Sequence, residues 1–556
     1  MRIKLMDFAG EFPRIHDTRL RESAATIAQD VDYSSGALKT LYSIAHQTTL
    51  PPLPSSMPTN DVHLYYAQNV GYWLQFPSVV DVISSPIKDD ARSRVYWSGD
   101  SRDAEGNVLF SYTPDVYEDG APYPNHFYKL GIPAPTSTPI ITSSTAVTDS
   151  TISDEARVYV YTYINEIGEE SAPSPASILV TVPTDSATVV LGGLTTHPEA
   201  ANRNITKKRI YRSLAGNSGA ATFLFVAEIN EADTTYTDTI LGTSLVEALQ
   251  TATFDQPRSG MQGLGLTAYG VAYGFVGKIV CMSYPFYVYA WPRDFELTTQ
   301  HDIVAMGHFD ANIVIATKGN PVMVTGIDPI SGVSMTELPL NEACVSKRSM
   351  VSMGYAVIYA SPNGLVMASS NGAQLITSGF FGKDEWQQLN PSSIHAVEHR
   401  GKYLFFWRVD DQNKGAYLFD PSNTEKGIIR LSLWCISAHR DMRTDTLYLL
   451  QTDGALQRFD DVGVDRVPFV WRSKRFRSVD SRGNRLLAAQ VLADSYDALV
   501  FRVFADDVEL YVKSDLSDQP FRLPNHSHKK YWQIEVSGLD TVREIALAQT
   551  MQELVS

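Results

Sequence analysis

The strongest constraint on this chain is a repeated alternation of short strand-like runs and tight turns. Between Met261 and Asp460, successive segments each contain an apolar run, a turn with Gly, Asn or Asp, and a second apolar run. The turns KGN at 318–320, PNG at 362–364 and TDG at 452–454 are typical of hairpins. Because the units recur about every 40–50 residues, the spacing predicts the blades of a β-propeller. No WD dipeptide or kelch signature accompanies it, so this prediction depends on spacing alone.

A second kind of strand pattern occupies residues 133–256. The run ARVYVYTYI at 156–164 alternates, which places Tyr159, Tyr161 and Tyr163 on one face of a strand. The turn NEIGEE follows, and then SAPSPAS, whose prolines suit the edge of a sheet. About seven short strands in this span favour a fibronectin- or immunoglobulin-like sandwich, and the lack of a Cys pair disfavours an antibody-type domain.

Composition agrees with an all-β chain, since 28 Tyr and 23 Phe are interrupted by 35 Gly and 29 Pro. We therefore predict an all-β fold, with a β-propeller-like core, an inserted fibronectin/immunoglobulin-like β-sandwich and a C-terminal β-sandwich. The predicted segments are an N-terminal arm and linker (1–60), the first propeller strands (61–132), the inserted fibronectin-like β-sandwich (133–256), the β-propeller blades (257–468) and a C-terminal β domain (469–556). Within the arm, 23–31 is predicted as a short helix, and VREIALAQTMQEL at 542–554 fits either a helix or a final strand.

Charge and cysteine content disfavour several classes of protein. The 46 Lys and Arg against 62 Asp and Glu give a net charge of −16, whereas gripping nucleic acid needs clustered cations. The distant Cys281, Cys344 and Cys435 predict packed apolar side chains rather than disulfides or a zinc knuckle. The first residues show no signal peptide, so we expect synthesis in a reducing cytosol. The stretch 267–291, charged only at Lys278, predicts two buried strands and no membrane span.

Matches to the sequence motifs of enzyme active sites are few and weak. His395-Ala-Val-Glu398-His399 matches the HxxEH string of zinc proteases, but the YLFFWRV that follows predicts a strand on the surface. Residues four apart on a strand are about 13 Å from each other and cannot share a zinc. Gly277-Lys278 and Gly382-Lys383 lack the rest of a P-loop, and no GxSxG occurs. We therefore predict no enzyme activity and no catalytic, cofactor-binding or metal-binding residues.

Solvent exposure or intrachain ion pairing explains each charged cluster most simply, and each cluster also has a functional alternative. Acidic doublets at 89–90, 410–411, 460–461 and 506–507 are predicted to be solvated turn residues; a repulsive ring facing a lumen, or a glycosidase pair, is the alternative. A basic cluster is predicted to be a solvated face or to form intrachain ion pairs, and the alternative is docking to an acidic neighbour or a transient DNA contact. This cluster contains Arg472, Lys474, Arg475, Arg477, Arg482 and Arg485.

Several longer stretches resemble the tail nozzle (tail tubular, or tail hub) proteins of short-tailed bacteriophages. The stretches are FAGEFPRIHDTRLRESAATIAQDVDYSSGALKTL, YTYINEIGEESAPSP, EALQTATFDQPRSGMQGL, EACVSKRSM, YASPNGLVM and ADSYDALVFRVFADDVELY. The resemblance covers most of the chain. It implies a structural virion protein, assembled in the host cytoplasm into a ring of six copies at the distal end of the tail. It also implies a conduit for ejected double-stranded DNA, contacts with a tail adaptor and with fibres or a needle, and an N-terminal arm that reaches a neighbouring subunit.

The acidic composition suits such a conduit, because an anionic wall offers the DNA phosphates nothing to bind. The alternative is a propeller-type glycan-binding or glycan-hydrolysing tail protein. Hydrolysis would need two carboxylates about 5–10 Å apart, and binding would need an aromatic-lined groove.

Overall fold

The protein is all-β, as the sequence predicts. The computed structural model describes residues 2–54, 57–148, 154–184, 187–213, 222–326, 328–478 and 483–555. Within these ranges, α-helix is confined to α1 (Lys383–Gln388) and α2 (Gln552–Val555), with a few single 3₁₀ turns such as Arg293–Phe295.

Strands of the first 132 residues are β1 (Ile3–Leu5), β2 (Ala25–Gln29), β3 (Val31–Asp32), β4 (Lys39–Thr40), β5 (Ala45–Thr49), β6 (Asp61–Ala67), β7 (Val70–Phe76), β8 (Asp81–Ser84), β9 (Val95–Ser98), β10 (Leu109–Ser111) and β11 (Tyr128–Lys129). Strands of the next segment are β12 (Ile140–Ser144), β13 (Asp154–Arg157), β14 (Tyr159–Asn165), β15 (Val180–Pro183), β16 (Val189–Gly192), β17 (Ile205–Ser213), β18 (Phe223–Asn230) and β19 (Tyr236–Asp238).

Strands that follow the sandwich are β20 (Gln262–Leu266), β21 (Ala272–Val276), β22 (Ile279–Met282), β23 (Leu297–Thr298), β24 (Ile303–Phe309), β25 (Asn312–Thr317), β26 (Val322–Thr325), β27 (Ser334–Glu337), β28 (Val351–Ser352), β29 (Ala356–Ser361), β30 (Gly364–Ser369), β31 (Gly372–Leu375), β32 (His395–His399), β33 (Lys402–Arg408), β34 (Lys414–Phe419), β35 (Ile429–Leu431), β36 (Ser437–Asp441), β37 (Thr446–Leu450) and β38 (Ala455–Arg458). The last strands are β39 (Phe469–Ser473), β40 (Phe476–Arg477), β41 (Ala488–Ala493), β42 (Leu499–Ala505), β43 (Val508–Lys513), β44 (Phe521–Arg522), β45 (Tyr531–Gly538) and β46 (Val542–Ala548).

The chain divides into two compact units, which are described separately. The sandwich unit comprises Tyr65–Ile303 and Thr325–Ser334. The terminal unit contains both ends of the chain and comprises Met1–Leu64, Val304–Val324 and Met335–Ser556.

Both units contain propeller-like sheets of sequence-adjacent antiparallel strands. In the sandwich unit, β8–β11 form one four-stranded sheet and β20–β23 form another. In the terminal unit, β24–β27 and β28–β31 repeat the pattern, and β36–β38 are completed by the N-terminal strand β5. The predicted turns 362–364 and 452–454 join β29 to β30 and β37 to β38, which confirms them as hairpin turns.

The N-terminal segment is built into the terminal unit and is not a detached arm. β1 pairs with β46, with Ile3 opposite Leu547, and β2 lies between β35 and β39. The short helix predicted over 23–31 is wrong, because Ala25–Gln29 is strand β2. Partners from distant parts of the chain supply its backbone hydrogen bonds on both sides and bury Ala25 and Ala28, which a local pattern cannot indicate.

The C-terminal residues do not form a separate sandwich domain beginning at 469. Strands β39, β45, β42 and β43 continue through β2 into β35, β34, β33 and β32, in one ten-stranded sheet. Trp471 and Trp532 are fully buried in a core that also contains Leu404 and Leu418 of the earlier strands. Residues 542–554 contain both predicted alternatives, strand β46 and then helix α2.

The inserted segment is a sandwich, as predicted. One sheet has the order β12-β16-β19 and the other β14-β17-β18, with a pair β13-β15 beside them. Tyr159, Tyr161 and Tyr163 face one core together with Leu191 and Ile210 from both sheets. The predicted tyrosine face of this strand is therefore confirmed.

A serine ladder covers one edge of β14. Ser171, Ser174 and Ser177 donate their backbone N–H to the carbonyls of Tyr163, Tyr161 and Tyr159, at 3.0, 2.8 and 2.9 Å. The three Oγ atoms accept the N–H groups of the same tyrosines at 3.0, 3.1 and 2.9 Å. The serines recur at every third residue, as in a polyproline II helix, and the tyrosines at every second residue, as on one face of a strand. Each serine therefore meets one tyrosine. The prediction that this proline-containing run lies at a sheet edge is confirmed.

The apolar stretch 267–291 contains the buried strands β21 and β22, as predicted. Across the described ranges, the helices are all too short or too polar to cross a lipid bilayer. Cys281, Cys344 and Cys435 are all buried as free thiols, which confirms their packing role.

Candidate functional surfaces

The HxxEH string lies on strand β32, as predicted, but it is buried rather than on the surface. The His395 ring stacks on Phe406 at 4.9 Å, and its Nε2 lies 3.7 Å from Sγ of Cys435. Burial holds the pKa of His395 well below 6.5 and raises the pKa of the Cys435 thiol. A neutral thiol beside a neutral imidazole is a poor nucleophile. In the described part of the chain, no three His, Cys, Asp or Glu side chains converge as metal ligands.

Charged clusters found in the sequence are largely held by intrachain contacts. Arg472 of the basic cluster pairs with Glu535 at 2.6 Å, and Arg475 pairs with Asp507 of an acidic doublet. Arg482 lies outside the described residues. Asp410 and Asp411 lie in an exposed turn as predicted, whereas Asp460 is buried and pairs with Arg400 at 2.6 Å.

An open groove runs beside the N-terminal segment of the terminal unit. Two cavities of about 700 and 320 Å³ share Phe12, Ile15 and Glu425 in their linings and form one depression. Strand β31 contributes Gln374 and Leu375 to its wall, and this strand is paired on one side only among the described residues. Such an edge leaves backbone N–H and C=O groups free for a further strand.

The mouth of this groove combines apolar side chains with two arginines, and Glu425 is the carboxylate in its lining. Ile15 and Tyr355 are 38% and 46% exposed. The Arg21 guanidinium lies 5.0 Å over the Phe12 ring, and Arg19 lines the same end. Neither arginine has a carboxylate partner within the ranges that the structure describes.

A second surface, in the sandwich unit, is a cluster of aromatic rings, most of which lie in the segment that follows strand β22. Neighbouring ring centroids lie 4.9–6.0 Å apart. Tyr269, Phe286 and Tyr287 are 42%, 52% and 48% exposed at its outer side. The clustered rings are Phe254, Tyr284, Tyr287, Tyr289 and Phe295. We refer to these seven residues as the aromatic surface.

Phe286 is held in a conformation that a bulky side chain rarely adopts. Its φ is +64°, and its N–H donates to the Gly270 carbonyl at 2.8 Å. A Cβ on Gly270 would meet the Phe286 ring at 2.7 Å, so glycine is needed for this approach. Left-handed backbone in a large residue costs on the order of 1–3 kcal/mol and is found where a site needs a fixed presentation.

Planar charged groups lie beside these rings in sequence and space. Arg258 makes a bidentate pair with Glu296 at 2.7 and 2.8 Å, and Arg293 reaches the same carboxylate at 3.0 Å. Phe295, between Arg293 and Glu296, packs edge-on against Tyr284. The sequence interpretation missed this surface because it treated 267–291 only as buried strands; the tyrosines around Pro285 were the available signal.

A buried latch fixes the sandwich to the sheet β8–β11 within the sandwich unit. Glu169, in the turn after β14, lies 3.8 Å from Arg94, next to β9. Its Oε2 accepts a hydrogen bond from Asn165 at 3.0 Å, whereas its Oε1 has no hydrogen-bond partner. Burial raises the pKa of Glu169 to about 7, against the attraction of Arg94. Arg94 is also held by Asp90 at 2.7 Å.

Comparison with known proteins gives a distant structural likeness and no sequence match. No protein-family profile matches the chain, and no curated protein sequence is similar to it. Apo AztD from Citrobacter koseri is 12% identical, covers 69% of this chain and 99% of its own, and has a TM-score of 0.27. The WD40 domain of Neurospora crassa Pan2 is 8% identical over 50% of this chain and 85% of its own, with a TM-score of 0.23. The β-propeller domain of the Trilobed protease from Pyrococcus furiosus is 8% identical over 60% and 95%, with a TM-score of 0.23.

Proposed function

We propose that this chain is a structural subunit of a virion tail, assembled into a ring through which DNA leaves the particle. The proposal begins with the resemblance to tail nozzle proteins. One structural observation supports it most, namely that both chain ends are woven into the same sheets. Strand β2 lies inside the ten-stranded sheet, between β35 and β39, and β1 pairs with β46. Pulling out either end would break ladders of backbone hydrogen bonds together, which suits a wall that carries load.

Charge supports the same proposal. A net charge of −16 per copy makes a ring of copies strongly anionic. DNA phosphates bind where cations cluster, and in this chain Arg472 and Arg475 are already paired with Glu535 and Asp507. An anionic wall therefore lets a duplex slide without holding it. Contacts with an adaptor, and with fibres or a needle, belong to the proposal as further partners.

Electron microscopy of virions tests this proposal. We expect the chain to form a closed ring around the tail axis, with a pore poor in Lys and Arg. Particles that lack the chain altogether, or a pore lined chiefly by cations, would contradict it. A tag on the exposed turn at Met442, which is 84% exposed, allows the chain to be located without disturbing a core.

The aromatic surface favours a second proposal, glycan binding. Three half-exposed rings present about 300 Å², whereas a stable protein interface needs about 800 Å² from each partner. The planar Arg258–Glu296 pair beside them can hydrogen-bond hydroxyl groups while the rings stack on sugar C–H faces.

Saturation-transfer NMR with methyl glycosides of glucose, galactose and N-acetylglucosamine tests this second proposal. We expect transfer to at least one of these sugars, and its loss in Phe286→Ala and Tyr287→Ala. Tyr355→Ala, an exposed tyrosine of the terminal unit, is the control. Absence of transfer, or transfer that both substitutions leave unchanged, contradicts glycan binding here.

A further inference from the structure

Strand β43 presents a second open edge in the terminal unit. It is the last strand of the ten-stranded sheet and pairs only with β42 among the described residues. Val508 and Val512 are 65% and 43% exposed on it. Natural proteins normally cover or charge such edges, because free backbone groups recruit further strands. Apolar side chains left open on this edge therefore call for a covering partner.

The charge around β43 is acidic. Residues 506–518, DDVELYVKSDLSD, contain five carboxylates and one lysine, a net charge of −5 + 1 = −4. Asp507 pairs with Arg475 and Asp506 lies 3.9 Å from Lys529, so the carboxylates left for another molecule are those on and after β43. Glu509 has only a loose contact with Arg502, at 3.6 Å. Asp515 pairs with Lys513 at 2.7 Å, but its side chain is 90% exposed. Exposed pairs of this kind contribute little, about 0–1 kcal/mol, so they can exchange for partners on another molecule.

The groove beside β31 has the complementary features. It offers a free strand edge at Gln374 and Leu375, apolar side chains at Ile15 and Tyr355, and two arginines without carboxylate partners, Arg19 and Arg21. We propose that strand β43 of one copy adds to the β31 edge of the next copy along this groove. Backbone hydrogen bonds between the two edges would align the strands, and the arginines would face the acidic residues that follow β43.

The contact is head-to-tail, because the two patches lie on different parts of one unit. The groove is bordered by the loop between β34 and β35. From β35 to β43 the sheet passes through β2, β39, β45 and β42, a separation of about 24 Å at 4.8 Å per strand step. A contact between two different patches repeats from copy to copy and generates a ring when its rotation closes. This inference rests on the proposed ring function and assigns its interface.

Engineered cysteines test the interface, because the three native cysteines are buried. Gln374→Cys marks the groove and Val512→Cys marks the edge strand, and both positions are exposed. The double variant, treated with a short bismaleimide in assembled tails and in concentrated solution, should give a ladder of covalent oligomers on denaturing gels. A mixture of the two single variants should stop at dimers. The matched control pairs Gln374→Cys with Met442→Cys, at an exposed position outside both patches.

Charge reversal tests the proposed interface independently of the cross-linking. We expect Arg19→Glu with Arg21→Glu to weaken assembly at least tenfold, and Asp515→Lys with Asp518→Lys in the same chain to restore part of it. Val512→Cys that cross-links to itself would show a symmetric contact and overturn the inference. The inference is also overturned if the wild-type chain forms rings but the double cysteine variant cross-links no more than the control pair. A wild-type chain absent from any tail ring contradicts the proposed function itself, which separates the two failures.

Discussion

At the scale of single residues, Glu169 is a carboxylic acid of the sandwich unit whose ionisation the fold disfavours. It is buried, one of its oxygens has no hydrogen-bond partner, and the Arg94 guanidinium is 3.8 Å away. The carboxyl titrates near 4.5 in an unfolded chain and at about 7 in the folded one. The folded state therefore retains the proton between these values, and stability falls as the pH rises through that window.

Glu169→Gln should remove this pH dependence. Relative to the variant, the wild-type protein should lose up to about 3 kcal/mol of unfolding free energy as the pH rises from 4.5 through 7, and the loss should be complete by about pH 8. Calorimetric unfolding from pH 4.5 to 8 measures the difference, with the exposed Glu118→Gln as control. If the unfolding free energies of the wild type and Glu169→Gln change with pH in parallel, Arg94 fully compensates the burial of the Glu169 charge.

At the scale of elements, the serine ladder makes a prediction for the sandwich. Ser174→Ala keeps the backbone bond to Tyr161 but removes the Oγ that accepts its N–H at 3.1 Å. A buried donor without an acceptor costs about 1–3 kcal/mol. Urea unfolding should show this loss, whereas Ser143→Ala, on the exposed part of β12, should stay within about 0.5 kcal/mol of wild type. Equal stability of both variants would mean that water replaces the ladder.

The N-terminal strands should be needed for folding, whereas a detachable arm would not be. Deleting residues 1–45 removes the partners of β46, β39 and β35 and uncovers the core around Trp471. We expect the truncated chain to lose cooperative unfolding in circular dichroism and to be degraded rapidly by protease. A chain that lacks only residues 1 and 2 is the control. If the chain that lacks residues 1–45 keeps the wild-type unfolding transition, the hypothesis of a detachable N-terminal arm would again be supported.

At the scale of the whole molecule, the sandwich is an insertion whose entry and exit lie side by side. A Cβ built on Gly131 would lie 2.9 Å from the Cα of Gln256. The sandwich also has its own core, with Tyr161 and Leu191 fully buried. The rest of the chain can therefore close over the excised segment without a long linker.

Excision of residues 133–255, with a two-glycine join, should leave a folded chain. The loss of the hydrogen bonds from Asn204 to the Tyr112 hydroxyl and from Arg203 to the Gly131 carbonyl should lower the unfolding midpoint by several degrees. Far-ultraviolet circular dichroism and calorimetry measure both effects. An excised chain that is unfolded would show that the sandwich supports the neighbouring sheets and is more than a spacer.

Much of the local structure could be predicted from the sequence. The tyrosine face of 159–163, the hairpin turn at 362–364, the strand at 395–399 and the edge position of 171–177 were all correct. Each depends on side chains within a few residues, since alternation and turn chemistry are properties of a short stretch. The candidate surfaces were not predicted, because the groove and the aromatic surface gather residues from separate segments.

The all-β class, the regular spacing of strands and turns, and the inserted sandwich follow from local sequence patterns. Long-range contacts establish that β2 is a strand, that His395 and His399 are buried, and that Glu169 faces Arg94. These outcomes depend on pairing between distant residues, such as Ile3 with Leu547. A strand in isolation gains too little from its own pattern to fix its partner; the partner is selected by the apolar surface that both bury together.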